Sequence, residues 1–141
     1  MNQKMKDALL QMYRNLNEAE TRQAERGVHD QGERSKVTGG KHMNPIAEAI
    51  RQDLISCGFV DKDVYYKGGC LRLPGWFRPS KDWDLLAFGD DELLAAVELK
   101  SINSSFGNNA NNRSEESLGS AIDLDHAVKN SLIPFNTQPP L

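Results

Sequence analysis

What this chain lacks narrows it before any motif is considered. Its two cysteines, Cys57 and Cys70, supply neither a disulfide framework nor a zinc set, which points to a reducing, cytoplasmic setting. His29, His42 and His126 are scattered, with no cysteine partner at zinc spacing. No apolar run approaches the roughly 18 residues that a membrane span needs. The opening residues MNQKMKDALLQMY hold no continuous apolar stretch and no small-residue cleavage site, so no secretory signal is expected. Charge of neither sign dominates: the net value is −3, which excludes a generic polycation coating nucleic acid but not a local DNA site built around metal ions. No dinucleotide fingerprint or serine triad is evident, and Thr38-Gly39-Gly40-Lys41 has the wrong spacing for a phosphate loop.

What is present suits one globular domain over 1–141. Hydrophobic residues make up 38% and charged residues 26% of 141 positions, soluble-globular proportions that can build a core. Residues 1–26 predict a helix, since Met5, Leu9, Met12, Leu16 and Ala19 recur at helical spacing. Residues 27–44 predict a long loop with four glycines. The core is expected over 45–131. It opens with a helix capped by Asn44, with Pro45 in its first turn, Ile46, Ile50, Leu54 and Cys57 as its buried stripe and Gly58 at its close.

Strand pieces are expected at Val64–Lys67 and Leu71–Leu73, then irregular chain through Arg78-Pro79 in which Trp76 and Phe77 plug the core. Asp84–Phe88 and Leu93–Ser101 form the next strand pair about the turn at 89–92. An asparagine-rich loop spans Asn103–Asn112. A last helix starts at Ser114 and carries Leu118, Ile122 and Val128, and a frayed tail fills 132–141. The fold class is α/β, with helices flanking a small mixed or antiparallel-starting sheet.

The chemistry lies in the strand pair. If 84–88 and 94–101 pair antiparallel about a turn centred near Asp91, Asp84 faces Glu98, and Lys100 shares their face by strand alternation. Two carboxylates about 4 Å apart repel by about 4 kcal/mol at an effective dielectric near 20, so they share a proton or hold a cation. Oxygen ligands without thiolate favour Mg²⁺. Lys100 beside such a metal would orient the attacking water or offset charge on a phosphodiester in transition. A Glu-x-Lys triplet by itself is close to worthless, because a surface ion pair of Lys100 with Glu98 or Asp84 is the ordinary explanation. The facing acid and the apolar strand raise its value.

Gly68–Lys81 holds Arg72, Arg78 and Lys81 with no acid, a basic stretch interleaved with aromatics that suits contact with a DNA backbone. The amides of the asparagine-rich segment, Asn108, Asn109 and Asn112 with Arg113 beside them, suit contact with duplex DNA, including adenine edges.

Asp84 followed by Glu98-Leu99-Lys100 is the PD-(D/E)XK nuclease signature. The longer words Val37-Thr38-Gly39-Gly40, Leu73-Pro74-Gly75-Trp76-Phe77-Arg78-Pro79, Lys81-Asp82-Trp83-Asp84-Leu85-Leu86, Ser105-Phe106-Gly107-Asn108-Asn109 and Asn111-Asn112-Arg113 resemble XhoI-type type II restriction endonucleases. The resemblance runs from about Val37 to Val128. It implies a restriction-endonuclease-like core and a Mg²⁺-dependent endonuclease of a restriction–modification system. Such an enzyme acts as a homodimer on double-stranded DNA at palindromic CTCGAG. By motif matching, Asp84 and Glu98 would ligate metal, the Leu99 carbonyl would complete the set, and Lys100 would serve the water.

Asp82 is a rival to Asp84, but Asp84 directly precedes the apolar pair. Glu48 occupies the helical position from which many nucleases of this superfamily support the metal, although its place on the wheel, about 200° from Ile46, suits a solvated glutamate. XhoI-type enzymes are longer than this chain, so it is expected to be the N-terminal portion of such an enzyme or a truncated form. A non-cleaving DNA-binding remnant and a repair or junction nuclease of the same superfamily are the alternatives.

Overall fold

The computed structural model describes residues 2–25, 41–68, 71–90, 92–101 and 106–133. The expected long loop lies almost wholly outside the described residues, as do Cys70, Asp91 and most of the tail. The chain divides into two compact units, residues 1–53 and 54–141, and each is described by itself.

In the first unit, α1 (Gln3–Glu25) follows its apolar stripe: Ala8 and Met12 are buried and Met5, Leu9 and Leu16 half-buried. The Asn2 side chain caps it, accepting the Met5 N–H at 2.8 Å. A 3₁₀ turn (Lys41–Met43) leads into α2 (Asn44–Ser56), with Pro45 in the first turn as expected. Ile46, Ala47 and Ala49 are the buried residues of α2, with Ile50 and Leu54 half-buried. Cys57 does not join this stripe: the helix has ended at Ser56 and the thiol is exposed. Gly58 closes the helix at φ 106°, a left-handed conformation that glycine adopts without a Cβ clash, and its N–H reaches the Ile55 carbonyl at 3.0 Å.

The second unit is built on two antiparallel sheets. The larger has the order β1 (Val64–Tyr65), β4 (Leu85–Gly89), β5 (Glu92–Val97), and the smaller pairs β2 (Arg72–Pro74) with β3 (Ser80–Asp82). β4 is the central strand, and Leu85, Leu86 and Ala87 are each 0% exposed, which explains a run of consecutive apolar residues instead of alternation. β3 lies between the irregular chain expected through Pro79 and the strand expected from Asp84, where no element was expected. Its partner in the ladder is β2, and the exposed side chains of the register partners Arg72 and Asp82 meet in a two-point ion pair at 2.7 and 2.9 Å.

α3 (Phe106–Lys129) begins eight residues before the expected Ser114, so the asparagine-rich segment is mostly helix. Ser114 caps nothing; its hydroxyl bonds back to the Ala110 carbonyl at 2.9 Å within the helix. The helix is also turned the other way. Leu118, Ile122 and Val128 are exposed, while Ser120, Asp123 and Ala127 are buried. Ala127 joins Leu73, Trp83, Leu86 and Ile133 in the core.

The face is set by Asp123, which is 2% exposed and grips the loop between β2 and β3. Its Oδ1 accepts the Phe77 N–H at 2.6 Å and its Oδ2 pairs with Arg78 Nε at 3.1 Å. That grip turns Trp76 and Phe77 outward, 44% and 66% exposed, instead of into the core as expected. Among the described residues, no helix is long and apolar enough to cross a membrane.

Candidate active site

The β4–β5 ladder pairs Leu85 with Val97, Leu86 with Ala96 and Ala87 with Ala95. These three pairs follow the register expected from a turn centred near Asp91, and the ladder ends at Leu85 and Val97. A bulge between Ala87 and Phe88 absorbs one residue, so the turn end of the ladder is offset by one. The turn needs a left-handed residue, supplied by Asp90 at φ 50°.

β5 stops at Val97, short of the expected Ser101. Glu98, Leu99 and Lys100 therefore continue the strand's course without its ladder. Asp84 stitches this extension instead. Its backbone N–H donates to the Val97 carbonyl at 3.0 Å, and its Oδ2 accepts the Leu99 N–H at 2.6 Å. The side chain of one strand end thus does the work of a backbone rung for the other.

Glu98 sits among cations. Lys81 Nζ lies 2.7 Å and Lys100 Nζ 2.5 Å from the same oxygen, Oε1. The other oxygen, Oε2, is buried and has no hydrogen-bond partner among the described residues. Burial works to raise the Glu98 pKa, but the hydrogen bonds and charges of Lys100 and Lys81 outweigh it and hold the carboxyl below its ordinary value. Lys100 reaches a second acid, Glu116 Oε2, at 3.5 Å, and Arg113 holds that same oxygen at 2.8 Å. The Arg113 hydrogen bond first, and then the Arg113 and Lys100 charges, keep Glu116 low against a smaller opposing effect of burial.

Lys100 and Glu98 are thus brought into contact, and Asp84 is tied to the same extension through the Leu99 N–H. The rival Asp82 turns away from it to Arg72, whose hydrogen bond keeps its pKa low. Leu99 lies in the same extension, with its N–H held by Asp84. Glu48 belongs to the first unit. It is half-buried there instead of fully solvated, and its Oε1 accepts from Arg51 at 3.1 Å and Gln52 at 2.9 Å. The basic residues singled out for DNA each face an acid: Arg72 with Asp82, Arg78 with Asp123, Lys81 with Glu98 and Arg113 with Glu116. Asn108, Asn109 and Asn112 lie in the first two turns of α3, and Asn112 is exposed.

Two residues of this unit carry more than the sequence suggested. Lys81 contacts Glu98 directly, and Asp123 builds the neighbouring loop. No periodic or motif signal distinguishes either, since both depend on partners 17 and 46 residues away.

The donor chemistry suits a hard divalent cation. Among the described residues no three or more His, Cys, Asp or Glu side chains cluster as a metal cage. The Asp84 and Glu98 carboxylates, at the ends of neighbouring strands, are instead oxygen donors of the kind Mg²⁺ accepts while keeping its waters. The orphaned Glu98 Oε2 is a buried acceptor in want of a cation, because an unpartnered buried carboxylate oxygen is costly.

Comparison with known proteins follows this geometry. The family profile described as restriction endonuclease XhoI matches residues 22–141. The type II restriction enzyme XhoI of Xanthomonas vasicola is 46% identical over 104 residues, covering 72% of this chain and 42% of that enzyme. The type II restriction enzyme AbrI of Azospirillum brasilense is 36% identical over 137 residues, 96% of this chain and 61% of the relative. The type II restriction enzyme BstVI of Geobacillus stearothermophilus is 45% identical over 117 residues, 75% and 52% respectively. The chain spans about half the length of these curated relatives. No solved structure matches it significantly.

Proposed function

The chain belongs to the XhoI restriction endonuclease family, and from that membership we propose that it carries the catalytic centre of a Mg²⁺-dependent type II restriction endonuclease. The substrate is double-stranded DNA, cut at palindromic CTCGAG by a homodimer. The observation that carries the reading is the grouping at the ends of β4 and β5: Asp84 on the Leu99 N–H, Lys100 on Glu98, and one Glu98 oxygen buried with no hydrogen-bond partner among the described residues.

The Asp84 and Glu98 carboxylates and the Leu99 carbonyl would hold the metal. Bound there, Mg²⁺ supplies Lewis-acid polarisation of a phosphodiester and a more acidic water. The protein's own part is positional and electrostatic. Asp84, by accepting the Leu99 N–H, fixes the backbone from which the Leu99 carbonyl is offered. Lys100 brings an ammonium to the carboxylates, where it orients the attacking water and offsets charge gathering on the phosphate oxygens. Glu116 and Glu98 hold that ammonium between them, so its position does not depend on the exposed lysine stem.

The test is cleavage of plasmid DNA carrying one CTCGAG site, with Mg²⁺ or Ca²⁺, against Lys100→Ala. A single linear product with Mg²⁺, absent with Ca²⁺ and in the variant, is the expected result. Intact plasmid from folded protein, or cutting that ignores CTCGAG, overturns the assignment. Lys100→Ala should still shift duplex DNA in a binding assay with Ca²⁺; equal loss of binding and cleavage would remove Lys100 from the chemistry.

A further inference from the structure

Two lysines share one oxygen of Glu98, and they are not equivalent. Lys100 stands between two acids, Glu98 and Glu116, and its side chain is 27% exposed. Lys81 is 13% exposed, against 14% for Glu98, and Glu98 is its acidic partner. Its ammonium lies over the Trp83 ring, 5.1 Å from the centroid. Trp83 is itself buried, and its backbone N–H donates to the Leu71 carbonyl at 2.8 Å. The β2–β3 register, closed by Arg72 and Asp82, turns Lys81 inward while Ser80 and Asp82 face solvent. A small sheet is therefore built so that one lysine reaches the Glu98 carboxylate from a different element than the Glu-x-Lys segment.

We propose that Lys81 is a resident counter-charge for Glu98, a built-in cation that holds this carboxylate in place and competes with a divalent metal for it. The physical basis is electrostatic. A buried carboxylate needs a partner, and an ammonium 2.7 Å away supplies it. The same positive charge repels a divalent cation approaching the second oxygen, and burial of both groups weakens the screening that would hide this. Lys81 takes Oε1 and leaves Oε2 as the open acceptor, so the arrangement holds Glu98 without closing the site. Lys81 is accordingly a positioning residue that sets the metal affinity. The inference rests on Glu98 being a metal ligand.

The experiment is Mn²⁺ binding by the full chain, followed by electron paramagnetic resonance, with melting temperatures measured without metal. Removing the ammonium in Lys81→Met should tighten Mn²⁺ binding by roughly tenfold and lower the metal-free melting temperature, whereas Lys81→Arg should hold both near the parent values. A merely structural lysine would show the opposite sign, because a loosened Glu98 binds metal less well. If Lys81→Met does not fold, Lys81→Gln, which removes the charge and keeps a donor, is expected to tighten binding in the same direction. Mn²⁺ affinity within twofold of the parent, or weaker, in a folded charge-removed variant overturns the proposal.

Glu98→Gln separates the two layers. Loss of Mn²⁺ binding in Glu98→Gln, with no tightening in Lys81→Met, defeats the counter-charge role and leaves the metal site standing. Mn²⁺ binding that survives Glu98→Gln, or that is absent from parent and Lys81 variants alike, defeats both.

Discussion

The Asp84 carboxylate accepts the backbone N–H of Leu99 at 2.6 Å, across the end of a strand pair whose ladder has already stopped at Val97. This bond makes Asp84 a structural joint as well as a candidate metal ligand, and the two roles respond differently to substitution.

Asp84→Asn retains an oxygen acceptor for Leu99 and loses a negative charge near Glu98, so the metal-free melting temperature should hold or rise. Asp84→Ala leaves the Leu99 N–H without its acceptor and should cost about 1–3 kcal/mol. Both should abolish cleavage. Chemical denaturation of the two variants checks the split. Equal destabilisation would show that the charge itself, and not the acceptor, holds the joint.

The loop between β2 and β3 should fail in two distinguishable ways. Asp123→Ala strips the Phe77 N–H and Arg78 of a buried partner and should lower stability by about 2–3 kcal/mol, a range reduced because Arg78 is 41% exposed. Gly75→Ala would set a Cβ 2.5 Å from Arg78 Cγ, 2.6 Å from Asp123 Oδ2 and 2.8 Å from the Arg78 carbonyl oxygen. The carbonyl is backbone and cannot step aside cheaply, so a loss of about 1–3 kcal/mol is expected there too. Denaturant midpoints measure both, and a neutral Gly75→Ala would show that the loop is pliable.

The acid limb of stability should carry the signature of Glu98. Its folded carboxyl lies below the ordinary value of 4.5, so its contribution is fully present above that pH and is lost as pH falls through the depressed value. The melting-temperature gap between the parent protein and Glu98→Gln should therefore be constant above about pH 5 and close as the pH drops below 4.5. A gap that persists unchanged to pH 3 would place the stabilisation elsewhere.

The sequence alone determined the register of the site. A turn centred near Asp91 pairs Leu85 with Val97, Leu86 with Ala96 and Ala87 with Ala95, and those are the pairs that form. The same count puts Asp84 just beyond the open end of that ladder, where its carboxylate takes the Leu99 N–H, while Asp82 pairs with Arg72. Periodicity also gave α1 and the start of α2, where punctuation by Asn44, Pro45 and Gly58 is strong.

The tertiary structure decided the rest, for one physical reason: a single buried polar contact outweighs a weak local pattern. Leu118, Ile122 and Val128 are too few to fix the face of α3, and the buried Asp123 with its hold on Phe77 and Arg78 turned the helix and pushed Trp76 and Phe77 outward. Lys81 was legible only as one basic residue among several. The pairing of β2 with β3 carried it to Glu98, because desolvating an acid and an ammonium together costs less than burying either alone.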